Sequence, residues 1–145
     1  EFHDLGWYMY WHPQSCYYLA HEKGGFEASP ERTPGTYSKY NSIDDKIDDL
    51  HYYTTFIKFG IGRTTYDASQ EIRNNHLNYE EAMKLIKKYD GEFPDIYFEE
   101  ILSYLNIKKD EFFKRLDKFR PWHLWKKERN TWKLRHTANK DGADD

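Results

Sequence analysis

The sequence predicts a mainly α-helical fold, and three patterns predict it. Ile43, Ile47, Leu50, Thr54 and Ile57 recur at steps of 4, 3, 4 and 3, which is one face of a helix. Asn78 and Glu81 form a capping box ahead of Ala82, Leu85, Ile86 and Tyr89, an apolar stripe at helical spacing. Phe112, Phe113, Leu116 and Phe119 repeat in the same way along Lys109 to Phe119.

The remaining elements follow in chain order. Phe2 to Trp11 alternates weakly and reads as a truncated strand, the last of a preceding sheet. Gln14 to Lys23 makes a short helix that Gly24-Gly25 ends. Phe26 to Tyr40 holds Pro30, Pro34 and Gly35 among polar residues, a long ordered loop of the kind that shapes ligand sites. The central helix is expected to start at Ser42, with Asp45 near the positive end of its dipole, and to stop at Gly60-Ile61-Gly62. A second begins near Arg63 and sets Arg63, Asp67, Gln70 and Asn74 in one polar stripe, with Ala68 and Ile72 on another face. Asp90-Gly91 closes the third, Pro94 opens a fourth that carries Ile101, Leu102 and Leu105, and Pro121 ends the fifth. Leu124 to Lys127 and Thr131 to Leu134 are expected to pair as a hairpin around Glu128-Arg129-Asn130, and Ala138 to Asp145 reads as a solvated tail. The chain thus divides into 1–40, the end of a preceding domain with its connecting loop, 41–137, a helical domain, and 138–145, the tail.

Composition bounds the classes of function. A chain of 145 residues, 38% hydrophobic and 32% charged, supports one modest core under a charged surface. With 5 Trp, 13 Tyr and 9 Phe it is far too aromatic to be disordered. Its net charge of −3 argues against general nucleic-acid binding. Cys16 stands alone, which excludes an internal disulfide and a cysteine-based zinc cluster and fits a cytoplasmic setting. There is no membrane-spanning apolar run. Neither GxxxxGK[ST] nor GxGxxG occurs, so no familiar phosphate loop is present.

Polar residues crowd the segment from Lys39 to Arg73. Asp44, Asp45, Asp48 and Asp49 pair at i,i+4, which costs a few tenths of a kcal/mol per pair. They either serve the helix dipole and solvent, or hold Mg²⁺ or a substrate cation. Lys46 either neutralises a diphosphate or pairs with its acidic neighbours. Arg63, Asp67, Glu71 and Arg73 follow the Gly-x-Gly break. Arginine suits phosphate through its planar fork, and carboxylates suit sugar hydroxyls. The free N–H groups of a helix beginning at Arg63 make the Gly60 to Arg63 corner a candidate diphosphate contact. The bland alternative is an Arg63–Asp67 pair worth about 0.3–0.5 kcal/mol. His51, beside Tyr52 and Tyr53, is either a core histidine or a base. Tyr37 and Tyr40 flank Lys39 in the loop, where they could stack on a sugar. The histidines have no ligand-like spacing, so no metal site is expected.

The block KYNSIDDKIDDLHYYTTFIKFGIGRTTYDASQEIRNNHL resembles the C-terminal region of the N-acetyl sugar amidotransferases of bacterial surface-polysaccharide and lipopolysaccharide biosynthesis. The likeness runs from Trp7 to His136 and includes GWYMYWHP, ERTPGTYSKY, YDGEFP, FRPWHLWK and WKLRH. The resemblance implies the helical C-terminal part of an α/β ATP-pyrophosphatase-type enzyme. In that family a sugar acetamido group becomes acetamidino: ATP activates the amide oxygen as an adenylate, and ammonia displaces AMP. ATP and Mg²⁺ would be bound mainly by an N-terminal domain, whose SGGxDS loop this chain lacks; Gly24-Gly25 has no flanking Ser and Asp. The chain opens with Glu1 and reads as part of a longer enzyme, inactive alone.

On that reading the candidate catalytic residues are Asp45, Lys46, Arg63 and Asp67, and the candidate substrate-binding residues are Lys39, Tyr37, Glu71, Arg73 and His51. The expected partners are a nucleotide-linked N-acetyl amino sugar and glutaminase and ammonia-channel subunits. Two other readings stay open. One is a non-catalytic helical module that docks the ammonia-supplying partner through the basic, Trp-rich stretch from Trp122 to Arg135. The other is a carbohydrate-binding module that works by aromatic stacking.

Overall fold

The computed structural model describes residues 1–137, among which seven helices and one two-stranded antiparallel sheet form. The helices are α1 (Leu5–Tyr8), α2 (Pro13–Gly24), α3 (Asp48–Phe59), α4 (Arg63–Arg73), α5 (Tyr79–Tyr89), α6 (Phe98–Leu105) and α7 (Lys109–Asp117). The hairpin joins β1 (Trp125–Glu128) to β2 (Thr131–Leu134), with Trp125 opposite Leu134 and Glu128 opposite Thr131. The fold is therefore mainly helical with a C-terminal hairpin. The expected tail, Ala138 to Asp145, lies outside the described residues.

The core follows the apolar periodicity. Leu50 of α3 packs with Phe98, Ile101 and Leu102 of α6, and Phe93, Phe112 and Phe113 close around them. Two turns further along α3, Ile57 packs with Leu116 of α7 and Trp125 of β1. Burying each such side chain contributes about 1.5–3 kcal/mol. Trp125 also donates its indole N–H to the Ile57 carbonyl at 2.7 Å, which ties the hairpin to α3. Helices α4 and α5 pack on each other, and each carries a fully buried alanine, Ala68 and Ala82. The capping box of α5 forms as its sequence predicts, with Asn78 accepting from the Glu81 N–H and Glu81 accepting from the Asn78 N–H.

Three local expectations are corrected. No strand forms over Phe2 to Trp11; the segment contains the single turn α1, and Phe2, Trp7 and Tyr10 are exposed. Among the described residues its weak alternation has no second strand to pair with and no core to face. The central helix starts at Asp48 rather than Ser42, because Ser42 takes a left-handed φ of 52° and the Asp45 carboxylate accepts from the Ile47 N–H at 2.8 Å. A local side-chain bond has outcompeted helix propagation there. Finally, α6 begins four residues after Pro94, and its Leu105 is exposed, as is Phe119 beyond the end of α7.

Candidate functional site

The polar face of α4 is covered by the long loop, and this positions the site. Thr64 donates from both its backbone N–H (3.1 Å) and its hydroxyl (2.7 Å) to the Gly35 carbonyl. The Gly35 N–H in turn donates to Glu92 at 2.8 Å, and Arg32 forks onto the same carboxylate. These bonds hold the Glu92 pKa below the usual carboxylate range, the Arg32 bond first among them. Thr33, Thr36 and Ser38 are buried as a result, although the segment has no regular structure.

Arg63 is buried at the start of α4. It donates to Asp49 at 3.3 Å and to the Asn41 carbonyl at 3.1 Å, and its guanidinium lies 4.2 Å from the Tyr52 ring centroid. One turn on, Asp67 accepts from the Thr36 hydroxyl. Burial pushes its carboxyl pKa up, against the pull of the Thr36 bond and of Arg63. Burial also pushes up Asp49. Beside Asp67, the buried Tyr37 hydroxyl has no hydrogen-bond partner among the described residues. Its pKa is raised by burial first, then by the charges of Asp67 and Glu71, and Tyr40 is pushed up to about 12 for the same reasons.

The N-terminus of α4 is not open to a diphosphate. The Asp90 carboxylate, from the turn after α5, accepts from the Thr65 N–H at 3.1 Å and from the Thr65 hydroxyl. The N–H groups of Gly62 and Thr64 also favour its charged form, while burial raises its pKa. The expected anion site at Gly60 to Arg63 is thus filled by an internal carboxylate, because a buried helix N-terminus must satisfy its free N–H groups from within.

The other candidates fall elsewhere. Asp45 is spent on the Ile47 N–H, and Lys46 sits exposed on the Glu100 carboxylate at 2.9 Å. Lys39 is exposed and donates to the Pro30 carbonyl at 2.7 Å. His51 is exposed and faces a separate groove with Phe59, Phe112 and Phe119. Arg73 is exposed in the last turn of α4. The structure therefore gathers Arg63, Asp67, Glu71 and Tyr37, and leaves Asp45, Lys46, Lys39, His51 and Arg73 outside that group.

The fold also assembles a cluster that histidine spacing does not signal. Glu71 Oε2 lies 3.4 Å from His12 Nε2 and 3.1 Å from His76 Nδ1, and the two ring nitrogens are 3.0 Å apart. His12 is buried at the start of α2, where the Tyr10 hydroxyl anchors the chain by donating to Asn74 at 2.8 Å. His76 returns over Glu71 because Asn75 takes a left-handed φ of 59° and the His76 N–H donates to the Glu71 carbonyl at 2.9 Å. The only sequence cue is Glu71 with His76 five positions on.

No helix among the described residues is long and apolar enough to cross a membrane. No curated protein matches the chain. Residues 34–138 match a family model described as LPS biosynthesis protein WbpG-like, C-terminal domain. That span takes in the loop from Pro34 onward, the polar face of α4, the core and the hairpin, so the chain belongs to the WbpG-like C-terminal domain family of lipopolysaccharide biosynthesis proteins.

Proposed function

We propose that this chain is the C-terminal part of an ATP-dependent N-acetyl sugar amidotransferase, and that it holds the sugar for conversion of an acetamido group to acetamidino. The family match supports the biosynthetic context, and the sequence resemblance supplies the reaction. ATP with Mg²⁺ supplies the activating adenylyl group, and a glutaminase partner supplies ammonia. The residues of this chain make a poor phosphate cradle, since Arg63 holds Asp49 and the α4 N-terminus holds Asp90. ATP and Mg²⁺ are therefore assigned to a part of the enzyme outside this chain.

The observation that carries a sugar site is the Tyr37 hydroxyl beside Asp67, unpaired among the described residues. A buried hydroxyl without a partner costs about 1–3 kcal/mol, and a ligand oxygen recovers it. The raised pKa keeps Tyr37 protonated, so it donates. Asp67 has acceptor capacity beyond its Thr36 bond and takes a sugar O–H or the acetamido N–H. The pair orients the acetamido group; because ammonia is already a nucleophile, orientation and electrostatic stabilisation matter more than a strong base.

The test is calorimetric titration of the folded chain with a UDP-linked N-acetyl amino sugar. Saturable binding is expected, weakened by about tenfold or more in Asp67→Asn and Tyr37→Phe, the loss that follows from one hydrogen bond to a charged or buried group. No binding by the folded chain overturns a sugar site carried here. It would favour docking of the ammonia-supplying partner, for which the exposed Phe119 and Phe59 lining a groove of about 460 Å³ are the supporting observation.

A further inference from the structure

We propose that His12, Glu71 and His76 form a binding site for a divalent transition-metal ion of the zinc type. The ion would fasten the segment before the family-matched domain to helix α4 and keep one coordination position open.

The argument begins with the triangle of facing atoms, whose edges are 3.0, 3.1 and 3.4 Å. Zinc binds imidazole nitrogen and carboxylate oxygen at about 2.0–2.1 Å in a tetrahedral shell, which places neighbouring ligand atoms about 3.3 Å apart. The three atoms therefore already stand at the separation of three corners of such a shell. The hydrogen-bond alternative serves them less well. One proton on His76 Nδ1 would be shared between His12 and Glu71. His12 Nε2 would then accept, so that a single proton serves two acceptors. Whether Nε2 accepts that bond or ligates a cation, the His12 proton sits on Nδ1, which is buried and has no partner among the described residues, so Nδ1 does not decide between the two. A cation at the centre engages all three lone pairs at once.

The donor set selects the ion. Two imidazoles and one carboxylate suit zinc and its neighbours, whereas magnesium and calcium prefer oxygen ligands. Access is available, because the His76 side chain is 47% exposed while His12 is 1% exposed. Water or a ligand atom fills the remaining corner, as in three-ligand zinc sites. The ligands come from both sides of a boundary: His12 precedes residue 34, where the family match begins, and Glu71 and His76 lie within it.

The test is titration of the full chain with Zn²⁺ against a chromophoric chelator, with Co²⁺ as a spectroscopic stand-in and Mg²⁺ as the hard-ion comparison. One equivalent of Zn²⁺ is expected to bind, Co²⁺ to give the intense visible bands of four-coordination, and Mg²⁺ not to compete. His76→Ala and Glu71→Gln, at partly exposed positions that leave the core intact, should each weaken Zn²⁺ binding by about tenfold or more. His21→Ala, outside the cluster, should leave it unchanged. Circular dichroism of each variant separates lost ligands from lost fold, and His12→Asn repeats the test at the buried position. Failure of the folded wild type to bind Zn²⁺ stoichiometrically, or binding that survives both His76→Ala and Glu71→Gln, overturns the proposal.

Discussion

A methyl group at position 62 would lie 2.4 Å from the Asp90 carboxylate, closer than any real contact. Because Asp90 is the group that satisfies the start of α4, it cannot move away without freeing N–H groups in a buried corner. Gly62→Ala should therefore cost about 1–3 kcal/mol in urea unfolding. Gly91→Ala should be worse, since its φ is +79° and the new methyl group would meet the Phe56 ring at 2.5 Å. Gly24, near the end of α2 with nothing within 4 Å, supplies the contrast: Gly24→Ala should be neutral or stabilising by about 0.4–1 kcal/mol. Asp67 governs a different property at the same scale. Burial raises its pKa in the folded state, so the folded chain binds this proton more readily than the unfolded chain does. The contribution of Asp67 is then fully present below its unfolded pKa and is lost as pH rises through the folded value. The stability of the wild type relative to Asp67→Asn should grow as pH is lowered from 7 towards 4, read from urea midpoints across that range. An opposite slope would mean that the Thr36 and Arg63 contacts outweigh burial.

Elements whose signals are local were legible in the sequence, and elements set by distant contacts were not. The start of α5 was readable because Asn78 and Glu81 bond to each other's backbone within one turn. The start of α3 is not legible in the sequence, because the Asp45–Ile47 bond and the left-handed Ser42 are turn chemistry that an apolar stripe does not report. The hairpin was legible within a residue, yet its function as a strap on α3 was not. That depends on Trp125 reaching the Ile57 carbonyl, 68 positions away. Trp125→Phe keeps most of the ring and orphans that carbonyl, so it should cost about 1–3 kcal/mol, and Trp125→Ala about 3–5 kcal/mol. Trp122→Ala, at an 81% exposed residue, should stay within about 0.5 kcal/mol. Thermal and urea unfolding of the three variants checks the ranking. In the candidate site, α4's polar stripe announced Arg63 and Asp67. It could not say that Arg63 faces inward to Asp49, nor that His12 arrives from 64 positions before His76.

At the scale of the whole molecule, stability is unevenly placed. Leu50, Ile57, Phe98, Ile101, Leu102, Leu116 and Trp125 draw α3, α6, α7 and β1 into one continuous apolar body, with Tyr53, Phe112 and Phe113 common to both halves. By contrast α1 and α2 contain no buried residue, and His12 is the buried side chain of that front segment. Regions with few buried apolar contacts open locally at a fraction of the global free energy. In native-state hydrogen exchange, amides of α3 and α6 should therefore exchange only with global unfolding, and those of α2 by cheaper local opening. The metal proposal adds a condition to this contrast. A cation held by His12 together with Glu71 and His76 binds only when the start of α2 lies against the end of α4. Zn²⁺ should therefore slow exchange at Cys16, whose N–H donates to the His12 carbonyl at 3.0 Å, and leave α7 unchanged. At a Zn²⁺ concentration a hundred times the Kd, local opening of α2 that releases the ion should cost about 2.7 kcal/mol more. Slowing that is uniform along the chain would instead mean that the ion acts on global stability. No slowing at Cys16 would mean that the front segment is not held through His12.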